Sequence, residues 1–285
     1  MTGTVAGTAV GPMVIAAVEQ HHPARRRLVQ DEMAIQVLPA AVRFLAGLAK
    51  WRVIRDLLVA ASEKKAPGIW GGIACRKRYL DEMFAEDVRE EVDAVVVLGA
   101  GLDTRAYRLA VPAGVRVFEV DLPGNIEDKR KRIRVPDAVT LVPIDFENDD
   151  LETVLSGHGY RPDGVTVFVW EGVTQYLTEA GVRNTLDVLA KAGSGSRLLF
   201  TYVRRDFLDG TAMYGADALH RQFVEKDRIW RFGLNPDDVD RFLAEYGWRE
   251  LEQVGSDELT ARYVRPSGRS TPVSDLERTV HAEKL

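Results

Sequence analysis

The feature that most limits the fold of this 285-residue chain is a regular alternation of apolar runs and helical segments between Val92 and Val203. Short runs rich in β-branched residues predict strands over residues 94–98, 115–120, 139–142, 165–170 and 197–202. Segments of helical character separate them, over residues 103–109, 126–132, 151–155 and 179–190. The first run contains no polar residue, which suits a strand buried on both faces. The alternation therefore predicts an α/β fold whose parallel sheet is covered by helices on both sides.

The regions on either side of this alternation have a different character. Residues 24–84 have helical periodicity, interrupted at Pro39 and by a glycine-rich loop, and they predict a helical region ahead of the sheet. A polar, helix-like insert begins at Asp206 and ends at Trp230. Residues 248–254 and 259–264 predict two closing strands, and the residues after Pro266 predict a polar, loosely held tail.

Charge and cysteine content exclude several classes of protein. The 38 Lys and Arg residues against 43 Asp and Glu give a net charge of −5, which argues against a nucleic-acid or membrane-surface binder. The basic run over residues 129–132 predicts a solvated helix face for the same reason. The single cysteine excludes an internal disulfide and an all-cysteine metal site, so no metal is expected and a reducing, cytoplasmic compartment is favoured.

No apolar stretch approaches the roughly 20 residues that a membrane-spanning helix needs. The apolar segment from Val14 to Val18 is short, and no lysine or arginine precedes it. It predicts a leader that runs into a first helix rather than a secretory signal.

The turn after the first strand carries the strongest chemical signal. There the strand runs into Gly99-Ala100-Gly101, whose glycines permit a tight turn and let a ligand approach the backbone closely. Thr104 stands where the dinucleotide-binding pattern has its third glycine. The second strand ends at Asp121, about twenty residues further on, where a carboxylate can accept hydrogen bonds from ribose hydroxyls. Together these residues predict a nucleoside cofactor without naming it, while a plain tight turn beside a solvated acid remains the alternative.

Two more strand ends carry acidic residues. Asp145 followed by Phe146 could bind the amine and ring of adenine, although a surface aspartate is the simpler interpretation of Asp145 alone. Glu171 ends the fourth strand. Because ligands of open α/β sheets bind beyond the carboxyl ends of the strands, all these residues are expected at one crevice.

Three motifs together resemble the leucine carboxyl methyltransferase family, and most closely its bacterial branch of S-adenosylmethionine-dependent O-methyltransferases, which includes polyketide-modifying enzymes. They are the Gly-Leu-Asp-Thr-Arg run over 101–105, Glu-Val-Asp-Leu-Pro over 119–123, and Glu-Gly-Val-Thr-Gln-Tyr-Leu-Thr over 171–178. The resemblance implies a class I, Rossmann-like methyltransferase fold with a seven-stranded, mostly parallel sheet whose last strand is antiparallel. It also implies a helical cap over residues 1–88, a catalytic domain over 89–266 with an acceptor-pocket insert over 206–234, and a tail over 267–285.

The same resemblance assigns roles to individual residues. It implies cofactor contacts at Arg76, Gly99, Ala100, Gly101, Asp121, Leu122, Asp145, Phe146 and Glu171. Among these, Arg76 would bind the carboxylate of the cofactor and Glu171 would lie near its amino group, whereas a salt bridge on a solvated helix is the simpler interpretation of Arg76 alone. Tyr176 would lie near the transferring methyl group and the acceptor.

The acceptor itself stays open at this stage. A carboxylate acceptor is ionised at neutral pH and needs a cationic clamp, for which Arg204 and Arg205 after the fifth strand are candidates. A phenol would need deprotonation, and His220 in the insert could reach it. The expected partner is a small organic, polyketide-like molecule, with no nucleic acid and no membrane, and a homodimer is left open. A nicotinamide-dependent oxidoreductase and a non-catalytic cofactor-binding protein remain the alternatives.

Overall fold

A single mixed sheet runs through residues 9–285, the part of the chain that this computed structural model describes. Residues 1–8, where the sequence predicts a leader, lie outside the described residues. The strands are β1 (Ala94–Leu98), β2 (Arg116–Asp121), β3 (Val139–Pro143), β4 (Thr166–Trp170), β5 (Arg197–Arg204), β6 (Gly233–Leu234), β7 (Trp248–Val254) and β8 (Glu277–Lys284). Their order is β3-β2-β1-β4-β5-β8-β7, and the two-residue β6 pairs with the end of β5.

The pairing pattern is that of the predicted fold. Strands β1 to β5 are parallel to one another, and β8 lies antiparallel between β5 and β7. This arrangement confirms the class I methyltransferase fold, with eight strands in the described residues where seven were expected. All five predicted strands between Val92 and Val203 are present.

Helices surround this sheet. Within the described residues, five precede it: α1 (Val10–Glu19), α2 (Ala34–Val37), α3 (Ala40–Leu48), α4 (Arg52–Lys65) and α5 (Ile69–Asp87). Others follow individual strands: α6 (Pro123–Arg132), α7 (Leu151–Gly157), α8 (Glu179–Leu189), α9 (Arg205–Leu208), α10 (Asp217–Leu219), α11 (Val239–Ala244) and α12 (Ser256–Leu259). Short 3-10 or π turns cover Ala24–Arg26, Ala106–Ala110, Thr174–Tyr176, His220–Lys226, Pro236–Asp238 and Thr260–Val264. Within residues 9–285 no helix is both long and apolar enough to cross a membrane.

Both faces of the sheet are buried, which explains the uninterrupted apolar run of β1. Val95 and Val97 pack with the N-terminal helices on one face, while Val96 and Leu98 pack with α8 and α11 on the other. Because successive side chains of a strand point to opposite faces, a strand covered on both sides needs apolar residues at every position.

The predicted polar tail is wrong, because it contains a central strand. β8 pairs with β5 along Arg197↔Glu283 to Val203↔Glu277. Its polar side chains lie beside residues far away in sequence: His281 Nε2 lies 3.1 Å from Asp87 Oδ2 without hydrogen-bond geometry, and Glu283 pairs with Arg197 and Arg249. The strand predicted over 259–264 is wrong as well, since Ser256–Leu259 and Thr260–Val264 are helical.

Candidate active site

The glycine turn after β1 is held closely by its neighbours. Gly99 and Gly101 have φ angles of 66° and 39°, in the left-handed region that favours glycine. The amide of Gly99 donates to the carbonyl oxygen of Val120 at 2.7 Å. A Cβ atom on Gly99 would lie 2.3 Å from Cγ2 of Val173, in the loop after β4. The carboxyl ends of β1, β2 and β4 therefore meet at this turn.

This geometry predicts that Gly99→Ala destabilises the protein. We expect the free energy of unfolding to fall by roughly 2–4 kcal/mol, because the left-handed backbone and the close contact with Val173 each carry a cost. Urea denaturation measures the loss. The double variant with Val173→Ala should recover the part due to the contact, so an equal loss in both variants would show that Val173 is not the obstacle.

Asp121 lies beside the turn with its carboxylate fixed on both oxygens. Oδ2 accepts a hydrogen bond from the Gly101 amide, while Oδ1 accepts from the Leu122 amide and from Asn125 Nδ2, both at 2.7 Å. Burial raises the pKa of Asp121, and these hydrogen bonds oppose that rise. Since a carboxylate has about four acceptor sites, one remains for a ligand hydroxyl.

Asp145 and Phe146 follow β3, next to Asp121. The amide of Ile144 donates to the Asp121 carbonyl oxygen at 2.8 Å, which fixes the distance between the two strand ends. The Asp145 carboxylate accepts hydrogen bonds within its own loop, from the Glu147 amide and the Asn148 side chain, and it is half-buried. The Phe146 ring packs against the core. The structure thus places Asp145 and Phe146 at the carboxyl edge of the sheet, as predicted, although the Asp145 carboxylate already has hydrogen-bond partners within its own loop.

Glu171 and Arg76 form a buried ion pair. Arg76 donates from Nε to Glu171 Oε1 at 2.9 Å and from Nη1 to Glu277 Oε2, which comes from β8. Lys77 Nζ lies 3.8 Å from the second oxygen of Glu171. Burial favours the neutral acid, but the charges of Lys77, Arg105 and Arg76 outweigh it and hold the pKa of Glu171 far below its usual range. Glu171 is therefore an ionised carboxylate beside three cations, two of which also pair with Glu277, Asp81 and Asp103.

Arg105 is a central residue of the site, although the sequence motif that contains it does not indicate its role. Its guanidinium is fully buried and donates to Asp81 at 2.6 Å, to Asp103 at 2.5 Å and to Glu171 at 2.8 Å. Together these charges raise the pKa of Arg105 despite its burial. The signal that could have found it is the Gly-Leu-Asp-Thr-Arg run itself, because it places Asp103 and Arg105 directly after the glycine turn.

The neighbouring residues of that run bind the turn to the N-terminal helices. The Thr104 hydroxyl donates to Asp31 Oδ2 at 2.7 Å, and Arg108 donates to Asp81 Oδ2 at 2.8 Å and lies 3.2 Å from Asp31. Thr104 is fully buried, so this position serves the contact with the helical cap.

The residues predicted for the acceptor side lie at the ends of β4 and β5. Tyr176 is half-buried in the turn after β4, and its carbonyl oxygen accepts a hydrogen bond from Arg231 Nη2 at 2.6 Å. Arg204 is engaged by Asp206 at 2.9 Å and by Asp275 at 2.5 Å. Arg205 has no carboxylate within 4.0 Å in the described part of the chain.

His220 lies inside the insert, where Nε2 is 3.4 Å from the Leu208 carbonyl oxygen and Nδ1 is 3.3 Å from Glu225. Residues 9–285 contain no group of His, Cys, Asp or Glu that could hold a metal ion.

The donor set suits a nucleoside that carries an amino-acid tail. A glycine cradle with no room for a Cβ lies between a carboxylate suited to hydroxyl groups, Asp121, and a mixed acidic and basic cluster suited to an ammonium and a carboxylate. The buried Oε1 of Glu277 beside Arg76 accepts no hydrogen bond from a described residue.

Comparison with known proteins identifies the family of this chain. Residues 9–190 match the family model described as leucine carboxyl methyltransferase. A candidate S-adenosyl-L-methionine-dependent methyltransferase of Rhodococcus jostii is 30% identical over 289 residues, covering 93% of this chain and 90% of that protein. Another in Streptomyces avermitilis is 32% identical over 212 residues, covering 72% and 71%.

The fold has a solved counterpart in a DUF574 family protein of Streptomyces avermitilis. The TM-score is 0.59 at 13% identity, and the likeness covers 95% of this chain and 97% of that one. The match to the family model covers more than half of the chain, and it includes the glycine turn, Asp121 and Glu171. The chain belongs to the leucine carboxyl methyltransferase family.

Proposed function

We propose that this protein methylates an oxygen, a carboxylate or a hydroxyl group, of a small organic acceptor of polyketide-like chemistry in cytoplasmic secondary metabolism. Family membership makes the chain an S-adenosylmethionine-dependent methyltransferase, which decides against the nicotinamide alternative. The observation that carries the proposal is the placement of Asp121 and Glu171 on either side of one glycine turn. The buried hydrogen bond of Thr104, in place of a third glycine, agrees with it.

The roles that we propose for the binding residues follow from their chemistry. Asp121, with Leu122 beside it, accepts a hydrogen bond from a ribose hydroxyl, and Asp145 with Phe146 binds the adenine. Glu171 pairs with the ammonium group and Arg76 with the carboxylate of the methionine part, near Gly99, Ala100 and Gly101. Arg76 uses its N–H groups on Glu171 and Glu277 and, as a guanidinium has five, has others left for a ligand.

The protein's part in the reaction is mainly alignment. Bound S-adenosylmethionine supplies the methyl group on a sulfonium, and the thioether leaves without needing a proton. The residues at the strand ends hold the acceptor oxygen in line, an effect worth up to roughly 7–11 kcal/mol. Exclusion of water strengthens the polar contacts in such a site.

Of the two acceptor oxygens, the structure favours a carboxylate. Arg205 is a cation without an ion-pair partner among the described residues, whereas Arg204 is held by two aspartates. We propose Arg205 as the clamp and Tyr176 as a wall of the acceptor site, with Arg204 as the support of the clamp. A carboxylate needs no general base at neutral pH.

The test has two parts, a measurement of S-adenosylmethionine binding and an assay of methyl transfer to a panel of acceptors. Asp121→Ala should weaken S-adenosylmethionine binding by about 5- to 150-fold in calorimetry, which corresponds to 1–3 kcal/mol for a lost hydrogen bond to a charged group. Asp237→Ala, an exposed aspartate, is the matched control and should not change the dissociation constant.

Transfer of labelled methyl to carboxylic acids and hydroxylated compounds then identifies the acceptor class. Binding without transfer to any member would favour the non-catalytic alternative, and an unchanged constant in Asp121→Ala would remove the ribose assignment.

A further inference from the structure

One segment, made of the consecutive helices α3 and α4 and the turn between them and called here the α3–α4 segment, holds most of the large apolar side chains that are exposed in residues 9–285. Five of the seven lie in α3, α4 and the turn between them, with exposed fractions from 57% to 71%: Phe44, Leu45, Trp51, Val53 and Leu57. None of the 14 residues of α4 is buried. Isolated apolar residues on a surface are ordinary, but a cluster of this kind indicates an interaction site.

The α3–α4 segment is also strongly basic, in contrast to the rest of the chain. Residues 40–65 contain six basic residues against two acidic ones, a local charge of +4 in a chain of net charge −5: Arg43, Lys50, Arg52, Arg55, Lys64 and Lys65 against Asp56 and Glu63. All the basic side chains except Arg55 are exposed. Lys50 Nζ lies 5.8 Å from the centre of the Trp51 ring.

A cleft continues this surface at the start of the α3–α4 segment. The cleft has a volume of about 370 Å³ between the start of α3 and the end of α6, and its charged lining residues are Arg43, Lys131, Arg132 and Asp128. Arg132 pairs with Asp128 and Lys131 with Glu127, so Arg43 is the lining cation without an ion pair among the described residues. Because Arg43 precedes Phe44 on α3, the α3–α4 segment and the cleft form one continuous surface.

We propose that the α3–α4 segment docks this enzyme on an anionic lipid bilayer. Apolar and aromatic side chains beside lysine and arginine are the pattern of helices that lie in the membrane interface. The cations are spread along both helices, which suits the dispersed negative charge of a lipid surface better than a single acidic site on a protein. A second copy of the α3–α4 segment would bring two like charges of +4 together.

The net charge of the chain argues against membrane binding when it is taken over the whole sequence, but it does not oppose this proposal. Electrostatic forces between exposed charges are screened beyond about 8 Å at physiological ionic strength. A bilayer that contacts the α3–α4 segment therefore interacts with the local positive charge of that segment. The proposal is independent of the acceptor, so either can fail alone.

The test is co-sedimentation of the full chain with vesicles of phosphatidylcholine, with and without phosphatidylglycerol. We expect sedimentation with the anionic vesicles only, release at high salt, and a blue shift of the Trp51 fluorescence. Lys50→Glu with Arg52→Glu should weaken binding roughly tenfold or more. Trp51→Ser with Leu57→Ser should also weaken it, through the lost apolar contact.

Matched controls carry the same changes elsewhere on the surface. Arg241→Glu changes an exposed arginine of α11, and Leu251→Ser changes an exposed leucine of β7. Both should bind vesicles like the unmodified chain, and thermal unfolding verifies that every variant is folded. Absence of binding to anionic vesicles would overturn the proposal, as would equal binding by the variants of the α3–α4 segment and the control variants. Dimerisation through Trp51 without vesicle binding would assign the surface to a second copy instead.

Discussion

Replacing Arg105 with methionine is expected to lower the free energy of unfolding by about 3–5 kcal/mol. The guanidinium is fully buried and donates to three carboxylates, those of Asp81, Asp103 and Glu171. Methionine fills part of the volume, but it leaves these negative charges close together in a site with little water. The loss should therefore exceed that of an ordinary surface ion pair several-fold. Urea denaturation at neutral pH measures it.

Two further variants separate charge from geometry at this position. Arg105→Lys keeps the positive charge, but its single ammonium group cannot reproduce the planar contact with three acids, so it should recover only part of the stability. Arg241→Met removes an exposed arginine that pairs with one aspartate, and it should cost no more than about 1 kcal/mol. If Arg105→Met were as stable as Arg241→Met, Arg105 would not hold the site together.

The sequence allowed the parallel half of the fold to be predicted because local pattern and burial agree there. Each strand from β1 to β5 is covered on both faces, so apolar residues recur along it, although β2 also buries Glu119 and Asp121. The positions of the glycine turn and of Asp121 could also be predicted, because they depend only on where β1 and β2 end. For these elements, the local sequence is sufficient to predict the structure.

Strand β8 could not be predicted, since its partners are remote in the chain. Glu277–Lys284 is polar, and its charged residues are half-buried beside partners from elsewhere in the chain. Arg197 and Arg249 pair with Glu283, and Asp87 faces the buried His281. A sequence window around β8 contains none of these partners. It therefore has the composition of a solvated tail.

The ion network at the site escaped prediction for the same reason. Arg76 and Glu277 are separated by 201 residues, and Arg105 and Glu171 by 66. The side chains alone indicate solvated charges on helices, which was the simpler interpretation of Arg76. Only the tertiary structure shows that these charges are buried and that three cations lie beside Glu171.

At neutral pH, Glu171→Gln is expected to destabilise the protein by about 3 kcal/mol, because Arg76, Arg105 and Lys77 lose a shared buried carboxylate. The size of this effect should depend on pH. The folded protein holds the pKa of Glu171 below its value in the unfolded chain, near 4.3. The stability that Glu171 contributes is thus fully present above that value, and it is lost as pH falls towards the folded pKa.

Unfolding free energies of both proteins between about pH 7 and pH 3 test this sign. The gap between them should narrow on acidification, because glutamine does not titrate. Burial raises the pKa of Asp31 and Asp121, which favours stability at low pH, but these residues are common to both proteins and cancel in the difference. Glu245→Gln, at a half-exposed acid paired with Arg183, should give a small gap at every pH. A gap for Glu171→Gln that stays constant or widens would contradict an ionised, cation-held Glu171, since only a depressed pKa makes the stabilisation disappear with added protons.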